Sequence, residues 1–131
     1  MKLCLFALIV LATTGVASAA DCAHATSQRQ MEECAGLALQ KADGQLNAVY
    51  KQIVNRLKND KPATALLVAA ETAWIHFRDA ECAFSSSASA GGTIYPMVVD
   101  GCLERLTLVR VKELTAYTKC SEYDSSCPVP K

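Results

Sequence analysis

The sequence predicts an all-α fold: a small disulfide-linked bundle of about three helices with an irregular C-terminal tail. Three observations lead there. Apolar residues recur in steps of three and four along three long segments. No stretch alternates apolar and polar side chains as a half-buried strand would. The breaks between the segments carry turn and capping residues.

The first helix is expected from about Ser27 to Lys58. Ser27 and Gln30 form a capping box, each satisfying an otherwise exposed backbone donor. The apolar stripe is Met31, Ala35, Ala38, Leu39, Ala42, Leu46, Val49, Tyr50, Ile53 and Leu57. Gly36 and Gly44 weaken it locally, by about 1 kcal/mol each relative to alanine. Asn59-Asp60-Lys61-Pro62 is a turn in which Asp60 caps the next helix and Pro62 is accepted in its first turn. The second helix is expected from about Ala63 to Ala83, with Leu66, Leu67, Ala70, Ala73, Trp74, Phe77, Ala80 and Phe84 as its buried stripe. Ser85 to Gly92 has small side chains and no periodicity, so a flexible loop is expected. The third helix runs from about Ile94 to Lys119, capped by Thr93, with Pro96 in its first turn. Its stripe is Val98, Val99, Cys102, Leu103, Leu106, Val109, Leu114 and Tyr117.

The 131 residues suit one domain. Met1-Lys2, the apolar run Leu3–Ala12 and the small residues Ala17-Ser18-Ala19 read as a secretory signal peptide over residues 1–19. The domain is then 20–131, and no remaining segment is long and apolar enough to span a bilayer. Asp21 before Cys22 does not suit a lipid-anchor signal. Taking Lys2 from the 13 basic groups leaves 12 against 13 acidic, a formal charge of −1. Nucleic acid is not an expected partner, since phosphate binding needs clustered Lys and Arg.

Cys4 leaves with the signal. The other six of the seven cysteines are Cys22, Cys34, Cys82, Cys102, Cys120 and Cys127. Six permit 15 pairings. An exported chain meets an oxidising compartment, so structural disulfides are expected. No Cys-x-x-Cys is present, and His24 and His76 have no metal-ligand spacing, so neither a metal nor a cofactor is expected. The helical layout favours sequential pairing. Cys22–Cys34 folds the leading segment onto the first helix. Cys82–Cys102 ties the second helix to the third, and Cys120–Cys127 pins the tail, with Cys22 an alternative partner for either.

No catalytic group is assembled in the sequence. There is no Gly-x-Ser-x-Gly turn, phosphate loop, His-Glu-x-x-His or calcium loop. His24 and His76 stand alone, and Glu32-Glu33, Asp79 and Glu81 read as solvated acidic positions, because adjacent helical residues diverge. An enzyme is therefore not expected. The richest segment is Trp74-Ile75-His76-Phe77-Arg78-Asp79-Ala80-Glu81-Cys82. Arg78 can lay its stem along Trp74 and reach a carboxylate on another helix. That makes the segment a packed aromatic, an ion pair and a disulfide cysteine.

At this segment the sequence resembles the lysozyme inhibitor LprI-type family of small secreted domains. The residues that carry the resemblance are Cys22; Gln30-Met31-Glu32-Glu33-Cys34-Ala35; Ala42-Asp43, Leu46-Asn47 and Tyr50; Ala73-Trp74-Ile75, then Arg78-Asp79-Ala80-Glu81-Cys82; Gly91-Gly92-Thr93; Cys102; Thr107, Arg110 and Leu114. It covers about Asp21 to Tyr117, leaving the tail 118–131 outside. It implies an α-helical domain with paired cysteines, secreted or periplasmic, and for some members inhibition of lysozyme.

A lysozyme cleft holds two catalytic carboxylates. An inhibitor needs a segment to fill it. The expected plug is the loop with Ser85, Ser86, Ser87, Gly91, Gly92 and Thr93, whose small polar groups can donate hydrogen bonds. Arg78 and Asp79 are the alternative contact surface. The expected partner is thus lysozyme or another protein. The alternative is an envelope interaction or immunity protein that binds a different toxin or enzyme.

Overall fold

The computed structural model describes residues 21–121 and 123–129. The expected signal peptide and Cys4 lie outside these residues. A short 3-10 turn at Cys22–His24 precedes three helices, α1 (Gln28–Arg56), α2 (Lys61–Ser85) and α3 (Tyr95–Lys119). Every helix end falls within two residues of its expected position, and the described residues contain no strand.

Local chemistry explains most of these ends. The Ser27 hydroxyl accepts from the Gln30 amide while the Gln30 side chain accepts from the Ser27 amide, completing the capping box. The Asp60 carboxylate accepts from the Ala63 amide at 2.9 Å, and Pro62 sits in the first turn of α2. Thr93, by contrast, does not cap α3. Ile94 already has near-helical backbone angles at that position, and the Thr93 hydroxyl donates instead to Gln28 Oε1 on α1.

The helices run up, down and up. Gln28 meets Thr93, Gly36 faces Asp100, and Arg56 Nη1 donates to the Thr118 carbonyl at 2.8 Å, so α1 and α3 lie parallel and in close contact along their lengths. α2 runs antiparallel to both and approaches them mainly through side chains. Three disulfides brace the arrangement: Cys22–Cys34, Cys82–Cys102 and Cys120–Cys127, with Cα separations of 5.6, 5.6 and 5.7 Å. The apolar core sits at the C-terminal end of α1, where Val49, Ile53 and Leu57 pack with Leu114 and with Val129 from the tail.

The α1 stripe faces inward as its periodicity requires, apart from exposed Met31. On α3, Val109 and Tyr117 are exposed, while Thr107 is fully buried. The larger departure is α2. Of its expected stripe only Leu67 and Trp74 face inward; Leu66, Ala70, Ala73, Phe77, Ala80 and Phe84 lie on the outer surface. The inward side is Leu67, Glu71, Trp74, Arg78 and Cys82. The cause is partly covalent, because Cys82 must face Cys102. Residues four, eight and eleven positions before Cys82 then share its side of the helix. Rolling α2 to bury its phenylalanines would break that disulfide and two interhelical ion pairs.

The connector between α2 and α3 also departs from expectation. Instead of an unstructured link, it is a compact succession of turns. It contains a 3-10 turn at Ser87–Ser89, backbone bonds from Gly92 N to Ser89 O and from Tyr95 N to Gly92 O, and a bond from Ser89 Oγ to Ser86 O. Gly91 has φ +78°, which a side chain would resist.

Candidate functional site

Two groups of residues attract attention, one inside the bundle and one on its surface. The interior group is a ladder of arginines and carboxylates built around Trp74. From α2, Arg78 Nη1 donates to Asp43 on α1 at 3.3 Å and to the Thr107 hydroxyl on α3 at 3.2 Å; Nε donates to Asp79 at 2.9 Å. From α3, Arg110 Nε donates to Glu71 on α2 at 2.8 Å, and Nη2 makes a second bond to the same oxygen. Arg110 Nη1 donates to Glu113 at 2.9 Å. The Trp74 ring lies near both guanidiniums, 5.2 Å from Arg78 and 6.0 Å from Arg110. Cation–π attraction therefore adds to the hydrogen bonds.

Burial works against the charge on Arg110, but hydrogen bonds and Coulomb attraction from Glu71 and Glu113 outweigh it. The net effect raises its pKa above the ordinary guanidinium value. The ladder therefore joins all three helices by charge. With its guanidinium engaged by three partners, Arg78 is a fastener between helices and presents little surface. Asp79 is half-exposed, with its carboxylate taken by Arg78. Glu71 carries no apolar signal in the sequence. Its position eleven residues before a cysteine that must face another helix was the available signal.

The surface group is the α2–α3 connector. Ser85, Ser87, Gly91, Gly92 and Thr93 lie on the surface, while Ser86 is buried at the end of α2 and its hydroxyl makes no hydrogen bond within the protein. The Cys82–Cys102 bridge closes the base of the loop, with Ser85 Oγ 3.4 Å from Cys102 Sγ. A shallow depression of about 440 Å³ is lined by Ser86, Ser89, Gly92, Ile94 and Val98. No charged side chain occurs between Ser85 and Ile94. The loop thus offers neutral hydroxyl and amide donors on a covalently braced support.

Among the described residues, no group of three or more His, Cys, Asp or Glu side chains is arranged to hold a metal ion. No helix among them is long and apolar enough to cross a membrane. His24 pairs with Asp21 in the exposed N-terminal turn, and His76 lies on the outside of α2.

Fold and loop together define a class: an all-α, disulfide-braced domain that carries an ordered surface loop. Residues 19–114 match the lysozyme inhibitor LprI family, and the chain belongs to that family. An uncharacterized protein of Rhizobium meliloti (strain 1021) is 34% identical over 113 residues, covering 78% of this chain and 81% of the relative. The crystal structure of a DUF1311 family protein from Pseudomonas putida KT2440 shares the fold, with a TM-score of 0.67 at 24% identity. That match covers 73% of this chain and 97% of the other.

Proposed function

We propose that this protein is a secreted or periplasmic inhibitor of a lysozyme-like muramidase, acting by binding the enzyme. Membership of the lysozyme inhibitor family carries the reading. Three disulfide pairs are consistent with folding outside the reducing cytosol.

The surface that suits the task is the Ser85–Thr93 loop. A muramidase cleft presents two carboxylates, one of which acts as the acid. The hydroxyls of Ser85 and Ser87 and the loop amides without a backbone partner are neutral donors that can meet carboxylate oxygens without burying a new charge, and Thr93 can join them by releasing Gln28. Ordering a flexible loop on binding lowers affinity. Here the bridge and the turn hydrogen bonds have ordered it beforehand. Ser86, buried beneath, supports the loop. Arg78 is committed to the interior and stays outside the contact.

The test adds the oxidised protein to muramidases of several classes acting on isolated cell walls. Lysis should slow in a saturable manner near equimolar protein. A Ser87→Glu variant, which sets a negative charge against the cleft carboxylates, should inhibit about tenfold less or weaker still, with an unchanged helical circular dichroism spectrum. Undiminished lysis at large molar excess against every class tested would reject the proposal.

A further inference from the structure

The outer stripe of α2 suits a second copy of the same chain. Leu66, Phe77 and Phe84 are 73%, 57% and 75% exposed. Together they leave open roughly 400 Å² of apolar side chain, comparable to the largest apolar patch a typical monomer shows. Around the helix, the edges of the stripe carry only His76 and Glu81 as ionisable residues, while Glu71 and Arg78 point inward and Asp79, further round, is paired with Arg78. A strongly charged partner therefore finds little to pair with there.

We propose that two copies associate through this stripe with their α2 helices antiparallel. The stripe is self-complementary in that direction. Reversed about the level of residue 75, Leu66 faces Phe84 of the second copy, Ala70 faces Ala80, and Ala73 faces Phe77. Alanines at the middle positions allow close approach, and each Phe77 ring covers an alanine.

A second feature points to the same register. Beside Leu66 and Ala70 opens a mostly apolar cavity of about 210 Å³, walled by Leu67, Tyr117 and Val129 with Arg110 at one side. An apolar cavity of roughly 150 Å³ accepts benzene, so this one has room for a phenyl ring. Phe84 lies about 27 Å further along the same helix, at 1.5 Å per residue. The antiparallel arrangement delivers the Phe84 ring of each copy to the cavity of the other. Such a pairing is isologous, as two-fold dimers are. Two such stripes bury about 800 Å² of apolar side chain in total, below the roughly 1,000 Å² of a standard specific interface, so a weak dimer is expected. The inference stands apart from the inhibitor reading, because the stripe and the loop are different surfaces.

Sedimentation equilibrium on the oxidised chain, expressed from Met1 in an exporting host, tests the proposal. The expected result is a monomer–dimer equilibrium in the range of about 10–100 µM. Phe84→Glu should raise the dissociation constant about tenfold or more; at 75% exposure the change leaves the fold intact. Ala70→Glu and Ala80→Lys should each weaken the dimer, and mixing the two should restore a heterodimer. Failure of that rescue overturns the antiparallel register. A dimer indifferent to Phe84→Glu overturns the interface. A chain monomeric up to about 1 mM overturns the proposal, including the case where phosphatidylcholine vesicles or a muramidase occupy the stripe instead.

Discussion

Replacing Glu71 by alanine and, separately, Phe84 by alanine distinguishes the observed placement of α2 from the one its hydropathy suggests. Glu71 is 8% exposed and makes two hydrogen bonds to Arg110, whose own side chain is 13% exposed. Removing one member of a buried pair strands the other, at a cost of about 3–5 kcal/mol. Arg110 retains Glu113, which is half in solvent. The expected loss for Glu71→Ala is therefore about 2–4 kcal/mol. With a urea m-value of about 2 kcal/mol/M, the unfolding midpoint falls by about 1–2 M. Phe84 is 75% exposed, so Phe84→Ala should change stability by about 0.5 kcal/mol or less. Were Phe84 in the core, the same change would cost about 3–5 kcal/mol. The assay is urea unfolding followed by helical circular dichroism with disulfides intact. A protein concentration of about 1 µM keeps a weak dimer dissociated and out of the comparison. A larger loss for Phe84→Ala than for Glu71→Ala would refute the reasoning about what holds α2.

Further outcomes follow from the same contacts. Replacing both Cys82 and Cys102 by alanine opens a loop of sequence separation 20 and should cost about 3 kcal/mol in the chain-entropy model. In walls-lysis assays the same variant should lose inhibition at temperatures where it is still folded, because the loop is no longer braced. Gly91→Ala forces a side chain onto a backbone at φ +78° and should destabilise by about 1 kcal/mol, read as a lowered thermal midpoint. Hydrogen bonds from the Ser126 hydroxyl and amide hold the Asp124 carboxyl below its ordinary value of 3.8. A depressed folded-state pKa stabilises the tail turn above the ordinary value and loses that contribution as pH falls through the folded-state value. The Ser126 amide resonance should therefore titrate with a midpoint below 3.8, and a midpoint at or above it would contradict the turn.

The helices and their ends were legible because they depend on neighbours in sequence. Ser27 and Gln30 are three residues apart, and so are Asp60 and Ala63, so a cap can be recognised without knowing the fold. Sequential cysteine pairing was legible for a similar reason: each pair is local in sequence, joining the leading turn to α1, α2 to α3, and the end of α3 to the tail. The loop was misjudged because its order comes from backbone turns among Ser86, Ser89 and Gly92. Small side chains leave no periodic trace of such turns.

By itself, then, the sequence determined that the chain is helical, where each helix starts and stops, and which family it resembles. It also determined that cysteines would brace the helices. Only the tertiary structure decided which side of α2 turns inward. Hydropathy favours Leu66, Phe77 and Phe84 alongside Trp74, while the fold keeps Trp74 inward with Glu71, Arg78 and Cys82 and leaves the phenylalanines outside. The physical reason is that apolar periodicity measures what would gain from burial near its own position. Buried charge gains only when a partner arrives from another helix. Arg110 and Asp43 are such partners, 39 and 35 residues from Glu71 and Arg78 respectively.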